Sequence, residues 1–271
     1  MLNLKTRNLL LLPLALALLG QAAFAGEEND WRLRIKKEVN GWSAHFSGSS
    51  EYGPSGRRTK GSGNLVEKAR SLAPFSKLRV EGPFDVRVNQ AGSEGLKVSA
   101  DDNIEPLIES RVDGDTLVLR MQERSGYSTR HAPVVWLDVK QLTSLQISGS
   151  SDVSMERLKG DNLSVSLSGS GDLRIGLLEL KQLTAHLSGS GDLQVAGRAE
   201  QQSWALHGSG DVDARSLGGN AAKAQLTGSG DLQLGVVDSL DASLSGSGDL
   251  SYGGRPKLTQ RVTGSGEVSA R

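Results

Sequence analysis

The chain has 271 residues, with 31 Lys plus Arg against 31 Asp plus Glu, so its formal net charge is zero. No charge excess directs it to nucleic acid, an anionic membrane or an acidic substrate. The absence of cysteine excludes disulfides, thiolate zinc sites, iron–sulfur clusters and cysteine nucleophiles.

Residues 1–25 read as a secretory signal peptide. Lys5 and Arg7 make a positive start, Leu9 to Leu19 an apolar run broken only by Pro13, and Ala23-Phe24-Ala25 a small-x-small cleavage site. The run is shorter than the roughly 20 residues a membrane-spanning helix needs. Cleavage near Gly26 leaves a mature chain with a formal charge of −2. The destination expected is the periplasm or outer surface of a bacterium, with no transmembrane segment after cleavage.

Residues 26–74 are expected to be a flexible segment. Trp31 to Ile35 fits a short strand or a helical turn. Gly41, Gly48, Gly53, Pro54, Gly56, Gly61 and Gly63 alternate with serines, and such composition has little to bury. Its basic cluster Arg57-Arg58-Thr59-Lys60 reads as a solvated charge run.

From Leu78 the apolar period is two. Leu78, Val80, Gly82, Phe84, Val86 and Val88 alternate with Arg79, Glu81, Pro83, Asp85 and Arg87, and the pattern returns at Leu96/Val98, Leu117/Leu119, Val135/Leu137/Val139 and Leu145/Ile147. This predicts strands with one buried face. A short helical turn is expected within Asn103 to Ser110, limited by Pro106.

The second half is an internal repeat. Gly149-Ser150-Ser151-Asp152 is followed by Gly-Ser-Gly-Asp at Gly169/Gly171, Gly189/Gly191, Gly208/Gly210, Gly228/Gly230 and Gly246/Gly248, and then by Gly264-Ser265-Gly266-Glu267. The spacings are 20, 20, 19, 20, 18 and 18 residues. Alternation runs through each copy, with the glycines in phase with Leu163, Val165 and Leu167 before and Leu173 and Ile175 after. The glycines are therefore expected to mark a sharp bend whose interior has no room for a Cβ. One coil of this length cannot bury its apolar face alone, whereas stacked coils can. The fold expected is all-β: a parallel, right-handed β-solenoid of about 20-residue coils over residues 75–271, with a less regular N-terminal part. Gly82-Pro83-Phe84-Asp85 reads as a degenerate early copy.

Stacking has electrostatic consequences. Asp172, Asp192, Asp211, Asp231, Asp249 and Glu267 would form a row. At ~4.8 Å, like unit charges repel by about 1 kcal/mol in water and about 3–4 at an effective dielectric of 20. Local N–H bonds, as in an Asx-turn, and solvent can relieve the row. A calcium ion along Asp172, Asp192, Asp211, Asp231 and Asp249 is the alternative. No other cofactor is indicated. Ser168, Ser188, Thr227, Ser245 and Thr263, with His207 as odd member, are expected to form hydrogen-bonding stacks.

Phe75-Ser76-Lys77-Leu78-Arg79-Val80-Glu81-Gly82-Pro83-Phe84-Asp85-Val86-Arg87-Val88, with Leu96 to Ile104, Leu117-Val118-Leu119 and the Gly-Ser-Gly-Asp copies, resembles the bacterial family called putative auto-transporter adhesin, head GIN domain (DUF2807), over about residues 75–265. The resemblance implies an exported, repeat-rich β protein of surface adhesion and brings no catalytic residues. The alternating strands of a membrane barrel, which a self-exporting autotransporter needs, do not follow Glu267.

No catalytic constellation is seen. His45, His131, His186 and His207 lack the i, i+4 spacing of a zincin, no Gly-x-Ser-x-Gly elbow leads a helix, and the Gly-Ser-Gly-Asp copies lack the lysine and helix N-terminus of a phosphate loop. Parallel β-helices can carry lyase or hydrolase sites, and Asp152, Arg174 and Lys181 are the residues such a site would recruit. Glycosidase chemistry, however, wants two carboxylates in distinct environments, which identical rungs do not supply. The function expected is a non-enzymatic envelope module that presents Ser, Thr and Asp ladders to carbohydrate or protein. The alternatives are a carbohydrate-active enzyme on the same scaffold, or a structural envelope protein self-associating through a terminal coil.

Overall fold

The computed structural model describes residues 32–38, 41–47, 50–52, 58–122 and 126–271, with side chains for 58–122 and 126–271. The predicted signal peptide lies outside the described residues. No helix among them is long and apolar enough to cross a membrane. Among the described residues the only helical turn is a 3-10 turn at Glu105–Leu107, inside the span expected for one and with Pro106 in its first positions.

Alternating sequence becomes strands that stack in two parallel columns. The first contains Thr116–Met121, Lys77–Gly82, Ser144–Gly149, Asn162–Leu167, the later halves of Leu173–Leu187 and Leu193–Leu206, then Ala221–Leu226, Ser239–Leu244 and Lys257–Val262. The second contains Val134–Val139, Asp85–Gln90, Val153–Lys159, the earlier halves of the same two long strands, then Val212–Gly218, Leu232–Val236, Leu250–Gly253 and Val268–Ala270. Each glycine corner carries the chain from the first column into the second. This is the predicted parallel β-solenoid.

The stacking order departs from chain order at one place. Lys77–Gly82 lies between Thr116–Met121 and Ser144–Gly149, and Asp85–Gln90 between Val134–Val139 and Val153–Lys159. The degenerate Gly82-Pro83-Phe84-Asp85 copy is thus a true rung, directly beside Gly149-Ser150-Ser151-Asp152. Beyond it, antiparallel strands finish the end: Ile108–Asp113 on Thr116–Met121, Gly95–Asp101 on Val134–Val139, and Leu65–Arg70 on Gly95–Asp101. Within the segment expected to be flexible, Arg32–Glu38 pairs with Gly41–Ser47, so residues 32–35 of the expected short strand or helical turn are strand, and Trp31 lies outside the described residues. Ser50–Tyr52 and Arg58–Lys60 flank Gly126–Thr129.

In-register stacking brings like residues together in the interior. Leu167, Leu187, Leu206, Leu226 and Leu244 form one file before the corner, and Leu173, Leu193, Val212, Leu232 and Leu250 another after it; each is at most 2% exposed. Burying each such side chain contributes about 1.5–3 kcal/mol. The files break at the last rung, where Val262 is 40% exposed because no strand covers it on that side. Phe75, Phe84, Tyr127 and Trp204 interrupt the aliphatic interior, and Trp204 is the largest of them. Trp204 is buried between Ala185 and Ala224, whose small side chains give it room. Its Nε1 donates to Oε1 of Gln202 (3.3 Å), and the buried Gln202 amide donates in turn to the carbonyls of Ala199 and Gly218.

Candidate functional site

The repeated tetrapeptides do line up at one corner, and their geometry revises the reason for glycine. A Cβ on Gly191 would lie 2.0 Å from the carbonyl oxygen of Gly171, and one on Gly189 would lie 1.9 Å from that of Gly169. The same clash with the preceding coil recurs at Gly169, Gly171, Gly208, Gly210, Gly228, Gly230, Gly246 and Gly248. The obstacle is the backbone of the next coil along the axis, not the interior of the bend. That approach is useful: the Gly169 carbonyl accepts N–H bonds from both Ser190 (2.9 Å) and Gly191 (3.2 Å), and the pattern repeats up the stack. Ser151 can replace glycine in its copy because its neighbour is the Phe84 rung; its hydroxyl donates to the Gly82 carbonyl (2.5 Å).

The acidic row is likewise knit from coil to coil. Oδ1 of Asp152 accepts the backbone N–H of Asp172 (3.0 Å), Asp172 that of Asp192 (2.9 Å), Asp192 that of Asp211, Asp211 that of Asp231, Asp231 that of Asp249 and Asp249 that of Glu267 (each 2.8 Å). The expected Asx-turn would have satisfied each carboxylate within its own bend; here each reaches to the next rung. The ladder thus spends one oxygen per carboxylate on backbone. Among the described residues, no group of three or more His, Cys, Asp or Glu side chains is arranged to hold a metal ion. We expect Asp211→Ala to cost about 1 kcal/mol, since it leaves the Asp231 N–H to water. Asp211→Asn, which keeps an acceptor and removes one like charge, should stay within about 0.5 kcal/mol of the parent. Urea midpoints check this, and the reverse order would refute the ladder.

Asp85 lies on the rung beside Asp152, the first member of the row. Burial pushes the Asp85 carboxyl above the usual aspartate range and the Asp152 charge pushes it further, while Arg87 draws it part of the way back. A carboxyl raised in the fold favours the folded state at low pH, and that contribution is lost as pH rises through the folded value. Asp85→Asn should therefore raise the melting temperature at pH 7 and give no gain below about pH 4, near the ordinary aspartate value. Melts at pH 3 and pH 7 that shift equally would contradict it.

The hydroxyl stack is also different in detail. Ser168, Thr227 and Thr263 each donate to a main-chain carbonyl of the preceding coil, at Ile147, Leu206 and Leu244 (3.3 Å each). His207 Nδ1 meets the Thr227 hydroxyl. His186 does not stack on His207, because it pairs in register with Ala205. His131 Nδ1 lies 3.2 Å from Oδ1 of the buried Asp101, whose other oxygen accepts from Thr129 (2.5 Å). The side chain of His45 lies outside the described residues.

A concave site lies on the outer face of the strands, away from the corner. Pairing places Lys97, Trp136, Arg87, Ser154 and Arg174 on adjacent strands in one outward-facing row. These residues, with Asn89, Asp138 and Glu156, line an open cleft of about 830 Å³, inside the range of about 300–1,000 Å³ usual for ligand pockets. Lys97 Nζ stands 4.5 Å from the Trp136 ring centroid, a cation–π distance. Asn89 Nδ2 donates to Asp138 Oδ1 (2.8 Å). Of the residues named for an enzyme site, Arg174 joins this cleft, Asp152 belongs to the corner ladder, and Lys181 pairs with Asp161 (2.7 Å) in the open.

Comparison with known proteins adds the following. The family model described as putative auto-transporter adhesin, head GIN domain, matches residues 74–256. A putative adhesin from Bacteroides fragilis is 25% identical, with a TM-score of 0.76 over 78% of this chain and 99% of that one. A putative lipid binding protein from Parabacteroides distasonis (22% identity, TM-score 0.68, 79% and 100% covered) and a putative adhesin from Parabacteroides merdae (23%, 0.65, 79% and 99%) share the fold. No curated protein matches the sequence.

Proposed function

Because the chain belongs to the putative auto-transporter adhesin, head GIN domain family, we propose that it is an exported, non-enzymatic binding module of the bacterial envelope. Family and fold together support an adhesion-like role. The observation that carries the finer reading is the register of the outward side chains. Ser144, Ser164, Thr184, Ser203, Lys223, Asp241 and Thr259 follow one another on adjacent strands, a straight file at the strand spacing of about 4.8 Å. Such a file offers the same few contacts many times over. Weak contacts made together give avidity far above that of one, which suits a repetitive carbohydrate or an envelope protein as partner. The Gly residues of the corner and one oxygen of each corner Asp are occupied in holding coils together.

Two measurements test this. Intact cells are probed for surface exposure of the chain and for adherence to immobilised glycans. Adherence of a deletion strain equal to the parent's sinks the reading. So does turnover of a polysaccharide by the purified protein that Asp85→Asn abolishes, since that would make the Asp85/Asp152 neighbourhood a hydrolytic centre.

A further inference from the structure

The geometry points to the cleft around Arg87, Trp136 and Arg174 as a binding site for an acidic saccharide, one that carries a carboxylate or sulfate oxyanion; this rests on the binding-module reading above. The Arg87 and Arg174 side chains, like those of Arg130, Arg157, Arg255 and Arg261, make no hydrogen bond or ion pair among the described residues, although the Arg87 charge acts on Asp85; they are the two of this group that line the cleft. Arg70, Arg79, Arg198 and Arg215 are each engaged, with Glu105, Gln146, Asn220 and Asp213. The Arg87 and Arg174 residues stand on either side of Ser154 in one row. Their backbones are therefore about 10 Å apart, two strand spacings, within reach of a single sugar and its substituent. Each offers a planar fork of donors that matches an oxyanion.

The rest of the cleft supplies what a sugar needs besides charge. The Trp136 indole gives apolar area against the C–H face of a ring, and Lys97 beside it, although paired with Glu67 (3.1 Å), keeps further N–H donors for an oxyanion. Ser154, Glu156 and the Asn89–Asp138 pair offer donors and acceptors for hydroxyls. A lipid surface is the less fitting ligand. Among the described residues the large exposed hydrophobic side chains are Leu65, Val236 and Val262, and none of them lines the cleft, where the Trp136 indole is half-buried.

The test is calorimetric titration of the full exported chain with oligogalacturonate, a heparin-derived oligosaccharide, a neutral maltooligosaccharide and phosphatidylglycerol vesicles. The parent should bind an acidic oligosaccharide and ignore the neutral one, and preference between the first two probes tells carboxylate from sulfate. R87A/R174A should weaken binding at least tenfold with an unchanged melting temperature, and R261A, outside the cleft, should leave it unaltered. Equal affinity for the neutral sugar, affinity indifferent to R87A/R174A, or binding only of vesicles would overturn the inference. Adherence of cells carrying R87A/R174A is measured in parallel. Parental adherence with no acidic-sugar binding removes this site and leaves the module reading standing, whereas loss of adherence on gene deletion bears on that reading alone.

Discussion

Gly191→Val should destabilise the domain by about 3–4 kcal/mol or prevent its folding, whereas Ser190→Val, one residue earlier and exposed, should change stability by no more than about 0.5 kcal/mol. The valine Cβ would start 2.0 Å from the Gly171 carbonyl oxygen. Backbone on a rigid ladder has no rotamer with which to step aside, so the coil must move, which puts the overpacking cost at or above the usual 1–3 kcal/mol. Moving it stretches the bonds from Ser190 and Gly191 to the Gly169 carbonyl, and the Asp192 bond to Asp172. Coils lie on both sides, so the strain is shared in two directions. At Gly266, in the last described rung, the clash with Gly248 is as close at 2.1 Å, but among the described residues no coil packs beyond it to resist a shift. Gly266→Val should therefore cost less than half as much. Thermal melts of the three variants decide it; equal losses at Gly191 and Ser190 would contradict the corner geometry.

Glu105→Ala should cost about 3 kcal/mol, by a different route. Glu105 is 3% exposed and meets Lys68 at 2.7 Å and Arg70 at 2.6 Å. Arg70 also donates to the carbonyls of Ile108 (2.6 Å) and Glu105 (3.1 Å), so the Leu65–Arg70 strand is fastened across the 3-10 turn between the buried Ile104 and Ile108. Removing the carboxylate leaves Arg70 uncompensated. The estimate sits at the low end for breaking a buried pair because Lys68 is 54% exposed. Burial alone would push the Glu105 carboxyl up, but the bonds from Lys68 and Arg70 and their charges outweigh it and hold it below the usual glutamate range. A carboxyl depressed in the fold stabilises above its unfolded value, about pH 4.3, and this contribution is lost as pH falls through the folded value. The parent and variant should thus differ fully at pH 7 and converge in strong acid. Urea titrations at pH 7 and pH 2 that show a constant gap would disprove the ionic fastening.

The regular part of this fold could be read directly from residues. The 18–20-residue spacing of Gly-Ser-Gly-Asp and the unbroken period-two alternation around it admit few structures besides stacked coils. What the spacing hid was which atoms oppose each glycine. Alternation assigns a residue to the inside or outside of a sheet, but the contact that forbids a Cβ runs along the axis, to another coil's carbonyl. The insertion of the Lys77–Gln90 rung between Thr116–Val139 and Ser144–Lys159 was equally hidden, because those strands repeat too weakly to reveal their neighbours. The cleft was out of reach for the same reason. Arg87, Lys97, Trp136, Ser154 and Arg174 come from five strands scattered over nearly ninety positions, and only pairing puts them in a row. Trp204 shows how local the signals can be: its room is made by Ala185 and Ala224, each about 20 residues away.

The interchangeable corners also make the molecule a ruler. Each rung presents to the next the same carbonyl, the same carboxylate oxygen and the same interior leucine that it receives from the one before. Gain or loss of one whole repeat therefore changes height by about 4.8 Å without asking the interior for a new packing solution. The length of the stack can then evolve by duplication, in even steps, while the irregular N-terminal end and its cleft are carried along unchanged.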